Sequence, residues 1–139
     1  MDRRDFLRNS CRACAALALV PVVASLESCA SSVKMLPVES GVLSVPKDTL
    51  GNGTTAIVTG QGLANKLMVV KRADGTYTAL ELLCPHKQGP LKEVKGGLEC
   101  DWHHSRFDLE GKVLNGPAKQ DLKTYAVEED GAMLRVKVA

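Results

Sequence analysis

An all-β fold, an antiparallel sandwich or barrel, is predicted by three features of this sequence. Past residue 30 the apolar side chains gather into short runs, at 42–45, 54–59, 67–72, 77–83, 113–114, 124–127 and 133–138. Turn pairs punctuate the runs: Asp74-Gly75 fits a hairpin between two of them, Glu110-Gly111 and Asn115-Gly116 mark others, and Asp130-Gly131 precedes the last. No stretch beyond residue 30 sustains the apolar period of about 3.6 that a core helix needs. The same pattern puts Cys84 and Cys100 on loops at one end of the sheets. The chain has no internal repeat and no low-complexity tract.

In chain order, residues 1–29 read as a leader. Arg3-Arg4-Asp5-Phe6-Leu7-Arg8 resembles the twin-arginine export motif. The modestly apolar stretch 13–26 contains Pro21 and falls short of the roughly 20 residues of a spanning helix, so it reads as the apolar centre of a signal peptide. That route exports folded proteins, which suits a cofactor inserted in the reducing cytosol. Leu26-Glu27-Ser28-Cys29 resembles a lipobox, which would make a lipidated Cys29 the first residue of the mature chain and a membrane tether. The alternative is that Cys29 lies inside an ordinary cleaved signal. Residues 30–46 mix Ser, Val and Pro as a tether does, and 47–139 form the domain. Cys11 and Cys14 make a Cys-x-x-Cys, but inside the leader, where a redox role is not expected.

Composition narrows the function classes. Removing residues 1–29 leaves 14 basic against 13 acidic side chains, a net charge of +1. So balanced a domain offers no electrostatic footprint for nucleic acid, and no phosphate loop or dinucleotide fingerprint is present. With 139 residues, 45% apolar, the chain can build one core. Of its five cysteines only Cys84 and Cys100 fall in the domain, so none remain for a structural disulfide beside them.

The stretch from Cys84 reads CPHKQGPLKEVKGGLECDWHHSRF. Cys84-x-His86 and Cys100-x-x-His103 each let one loop offer a thiolate and an imidazole to a metal centre. The ligand set alone does not name the metal, because a structural zinc takes two Cys and two His as readily, and a Cys84–Cys100 disulfide beside two incidental histidines is a third reading. The neighbours favour a cluster: Pro85 and Pro90 stiffen the first loop, Gly89 permits close backbone approach, and Trp102 and Phe107 bracket the second.

Cys84-Pro85-His86 with Pro90-Leu91, followed by Cys100-x-Trp102-His103-x-Ser105-Arg106-Phe107, resembles the paired cluster-binding boxes of Rieske 2Fe-2S proteins. The resemblance runs from about residue 66 onward and includes Gly116-Pro117-Ala118, which is similar to the proline loop covering the cluster in that family. It implies a Rieske-like antiparallel sandwich or barrel with a two-loop cluster-binding subdomain and one 2Fe-2S cluster per chain. Cys84 and Cys100 would hold one iron, and His86 and His103 the other, with a potential of about −150 to +300 mV. Ser105 falls where high-potential members place a hydroxyl bonded to a cluster sulfur, and Phe107 where they place a tyrosine. Trp102, Leu91 and Phe107 are expected in a dry shell around the cluster. The sequence departs from the family at Gln88 and His104, which replace glycines. It departs again in the thirteen residues between His86 and Cys100, a short spacer suggesting a clipped hairpin turned at Gly96-Gly97. His104 is expected at the loop surface, pointing away from the iron.

The resemblance implies an electron-transfer protein rather than a stand-alone enzyme: an exported, periplasmic or cell-envelope one-electron carrier with a redox partner such as a cytochrome or an oxidoreductase subunit. The alternative is a small Rieske subunit of a larger oxidoreductase, like those of quinol-cytochrome c reductase or arsenite oxidase. A third expectation is a non-redox zinc or disulfide module that only binds partners.

Overall fold

The computed structural model describes residues 33–139. The twin-arginine motif, the apolar stretch 13–26, Cys11, Cys14 and Cys29 lie outside the described residues. The regular elements of the described chain are almost all strands: β1 (Lys34–Leu36), β2 (Val38–Glu39), β3 (Val42–Pro46), β4 (Thr55–Gly60), β5 (Leu67–Lys71), β6 (Tyr77–Glu81), β7 (Leu91–Val94), β8 (Gly97–Cys100), β9 (Arg106–Phe107), β10 (Val113–Asn115), β11 (Thr124–Asp130) and β12 (Met133–Lys137). One 3-10 turn, Lys47–Leu50, follows β3.

Eight strands form one sheet in the order β1-β4-β5-β6-β11-β12-β3-β2, and the other four form a second in the order β10-β9-β8-β7. The edge strands of the large sheet, β1 and β2, are separated in the chain by Pro37 alone. β1 runs parallel to β4, with Leu36 opposite Gly60, and β2 runs antiparallel to β3, with Val38 opposite Leu43. One short stretch of chain therefore joins both edges and nearly closes the sheet into a barrel. Pro37 has no N–H to leave unpaired at the junction. At the seam a side chain on Gly60 would meet Val38 Cγ2 at 2.6 Å and Leu63 Cδ1 at 2.8 Å, so the closure needs glycine there.

Residues 34–46 are thus part of the barrel and not a tether, which corrects the sequence-based boundary. The reason is burial: Leu36, Leu43 and Val45 sit in the barrel core with Val58, Leu67, Val69, Ala79, Leu134 and Val136. The hairpin turn also moves by one residue. Val94 pairs with Gly97, so the turn is Lys95-Gly96, with Gly96 at φ 81°, and Gly97 is already strand. A side chain on Gly97 would lie 2.1 Å from the Phe107 carbonyl oxygen, so β8 and β9 approach there closer than any side chain permits.

β5 and β6 explain how the small sheet is carried. All of Leu67, Met68, Val69 and Val70 are buried, because the two faces of β5 look into different cores. Leu67 and Val69 face the barrel interior, while Met68, Val70, Leu80 and Leu82 pack against Cys84, Leu91, Leu98, Cys100 and Phe107. The small sheet and its loops therefore stand on a rigid wall.

Candidate metal centre

Two loops built alike hold the cysteines. In the first, the Cys84 N–H donates to the Gly89 carbonyl (2.9 Å) and the Gln88 N–H to the Cys84 carbonyl (2.8 Å). In the second, the Cys100 N–H donates to the Ser105 carbonyl (2.9 Å) and the His104 N–H to the Cys100 carbonyl (3.0 Å). Each loop leaves its cysteine and returns to it five residues later, and each needs a left-handed residue at the fourth step. Those residues are Gln88 and His104, both at φ 58°, the two places where glycine was expected. The turn is kept without glycine, at a cost of roughly 1–2 kcal/mol at each position. Histidine is among the residues that tolerate this region best. The Asp101 N–H donates to the Pro90 carbonyl (3.1 Å) and ties the loops to each other.

Between the loops the cysteines lie inward and the histidines outward. Cys84 and Cys100 are each 1% exposed and are free thiols, so the disulfide reading is not what the structure shows. The His86 and His103 rings meet edge to face with centroids 5.0 Å apart, His86 half-buried and His103 exposed. Burial pushes the Cys84 thiol above its ordinary pKa; a backbone hydrogen bond near His86 pulls it down, and the adjoining Cys100 sulfur raises it further.

These residues fit a two-iron cluster. His86 Nδ1 is buried without a hydrogen-bond partner, which in a packed protein marks an atom made for something else. Among the described residues no three His, Cys, Asp or Glu side chains converge on a single point, as a tetrahedral zinc would require. Thiols paired with thiols and imidazoles paired with imidazoles suit two metals side by side.

The surroundings are uneven. Ser105 is fully buried, and its Oγ accepts the Ala118 N–H (2.9 Å). One side chain thus links the second loop to the Gly116-Pro117-Ala118 turn over the site. Leu91 and Phe107 are buried as expected. Trp102 is not: it is 57% exposed, because it sits at the tip of the second loop with Gly89 beneath it and no element above. His104 is exposed, with Nδ1 3.1 Å from the Glu99 carboxylate. Sequence reasoning missed Glu99; its signal was the alternation of β8, which sets it opposite Arg106 on the outer face.

Two substitutions test this geometry. His104→Gly relieves a left-handed histidine but loosens the unfolded chain and loses an exposed hydrogen bond to Glu99, so stability should stay within about 1 kcal/mol of wild type. Iron content and spectrum should persist in His104→Gly and vanish in His103→Gly; the reverse result would reassign the histidines. Phe107→Tyr offers a new donor toward the sulfurs, and one net hydrogen bond of about 1 kcal/mol corresponds to a rise of roughly 30–60 mV for one electron. Protein-film voltammetry giving an unchanged or lower potential would place the Phe107 ring edge away from the sulfurs.

The family model of the Rieske [2Fe-2S] domain matches residues 42–126. The cytochrome b6-f complex iron-sulfur subunit of Chlorobaculum tepidum is 29% identical over 146 residues, covering 99% of this chain and 76% of that protein. Among solved structures, the plasma membrane Rieske protein PetC3 of Synechocystis PCC 6803 aligns with a TM-score of 0.51 at 27% identity, over 70% of this chain and 86% of that one. The ferredoxin of carbazole 1,9a-dioxygenase from Nocardioides aromaticivorans IC177 aligns at 0.52 with 26% identity, over 68% and 94%. Some relatives are far longer: the chain spans 11% of the carotenoid phi-ring synthase of Chlorobaculum tepidum, at 38% identity over 69 residues.

Proposed function

The chain belongs to the Rieske [2Fe-2S] family, and from that premise we propose that it is an exported one-electron carrier of the cell envelope, its cluster held by Cys84, His86, Cys100 and His103. When bound, the cluster takes up and releases a single electron. The protein's part is to fix where this happens. Cys84 and Cys100 are sealed at 1% exposure against the wall of β5 and β6, while His103 reaches the surface and His86 stops just beneath it. This polarity carries the reading: the thiol side stays dry and rigid, and the imidazole side is open to a partner. Ser105, bonded to the Ala118 N–H, keeps the covering turn in place.

Purification of the whole chain with metal analysis and EPR tests the centre. Two irons per chain and a signal on reduction are expected, and one zinc would overturn the reading. Export rests on Arg3-Arg4 before Phe6-Leu7. Replacing both arginines by lysine should hold the precursor in the cytosol, and Cys29→Ala should release the mature protein from membranes. Normal export of the double-lysine form would sink the first expectation, and a soluble wild type the second. The relative named as a cytochrome b6-f subunit, which covers 99% of this chain, favours a second reading as a subunit of a larger oxidoreductase. Co-purification from native membranes separates the two.

A further inference from the structure

The described domain is nearly neutral in sum, yet its charges are not evenly matched around the exposed imidazoles. At the cluster end most charged side chains have a partner within the chain. Lys92 Nζ lies 2.7 Å from Asp101, and Lys112 Nζ lies 2.7 Å from Asp121, whose other oxygen accepts the Val113 N–H at 3.0 Å. Glu99 faces His104 at 3.1 Å, Arg106 at 3.8 Å and Lys92 at 3.9 Å. Every carboxylate named here is turned toward a cation of a neighbouring loop or strand.

Lys87 and Lys119 differ. Both are exposed, and among the described residues neither lies within ion-pair distance of a carboxylate. Lys87 follows His86 directly in the chain. Lys119 lines, with Pro85, His86, Pro117 and Gln120, an open depression beside the His86 ring, and no acidic residue lines it. The uncompensated charge at this end is therefore positive, with one lysine next to His86 in the chain and the other lining the depression at its ring. Exposed charges are felt over about 8–10 Å at ordinary ionic strength, so these two lysines dominate the field a partner meets at this edge.

We infer that the His86 edge, flanked by Lys87 and Lys119, is the docking face for a redox partner whose own electron-entry surface is acidic. The inference rests on the electron-carrier reading and adds the charge class of the partner. Paired charges would steer encounter and set orientation, with rate more than affinity responding to salt.

The test uses the reduced, iron-loaded full chain in stopped flow with two one-electron oxidants of opposite charge, hexacyanoferrate(III) and tris(phenanthroline)cobalt(III). One electron leaves the protein in each case, reducing iron(III) to iron(II) or cobalt(III) to cobalt(II). The rate with hexacyanoferrate should fall about tenfold between low and high salt, while the rate with the cationic complex rises. Lys87→Glu/Lys119→Glu should invert both trends with iron content and EPR signal unchanged; the wild-type salt dependence decides the matter if that variant does not fold. Equal salt responses for the two oxidants, or trends unmoved in the folded variant, would overturn the docking face while leaving the carrier standing. Oxidation by neither reagent would overturn both.

Discussion

A Cys84→Ala chain is expected to purify colourless, with both irons lost rather than one. Cys84 is 1% exposed at the base of the first loop and packs in one buried cluster with Cys100. Removing that sulfur leaves one metal position short of a ligand and separates the first loop from the second. The strength of a metal site comes from ligands held in place together, so the partial site retains little affinity. The barrel should survive, because its core of Leu43, Val45, Val58, Leu67, Val69, Leu134 and Val136 is distinct from the one that contains Cys84. Metal analysis and circular dichroism on the same sample check both halves. Full iron with an unaltered visible spectrum would remove Cys84 from the ligand set, whereas loss of all β signal would mean that the two cores do not fold separately.

Much of this site was legible in the sequence, because ligand chemistry and loop chemistry are written locally. Two Cys and two His at fixed steps, with Pro85, Gly89 and Pro90 around them, specify two tight loops whatever the rest of the chain does. Even the departures from pattern were informative: Gln88 and His104 occupy the two left-handed positions that close the loops. What escaped was set by tertiary contact. Met35-Leu36-Pro37-Val38 looks like linker on its own, and becomes barrel only because β3 and β4 stand ready on either side. In the sequence β7 and β8 read only as a clipped hairpin, since Lys92, Glu93 and Glu99 dilute the apolar signal of Leu91 and Leu98. Residue type alone places Trp102 in the interior, but an aromatic at a loop tip is buried only if something covers it.

Gly89→Ala should damage the site almost as severely as loss of a ligand, although it adds one methyl group. Gly89 is not in a left-handed conformation, so alanine is free to take its backbone angles and the effect is one of space. The new Cβ would lie 2.9 Å from Cys100 Sγ, 2.9 Å from Trp102 Cδ2 and 3.1 Å from Trp102 Cε3. Gly89 cannot back away, because its carbonyl accepts the Cys84 N–H at 2.9 Å. The exposed Trp102 ring can swing into solvent, but Cys100 is buried at the base of its loop. The methyl group therefore presses on a sulfur, and overpacking of this kind costs about 1–3 kcal/mol before any metal is considered. Iron should fall well below two per chain, and Trp102→Ala in the same chain should not restore it. Restoration by Trp102→Ala would mean that the ring, not the sulfur, takes the strain. Gly96→Ala gives the contrast: φ is +81° there and nothing lies within 4 Å, so alanine should cost about 1 kcal/mol through the backbone. That variant should melt earlier with both irons in place, which separates a glycine required by a turn from one required by the cluster site.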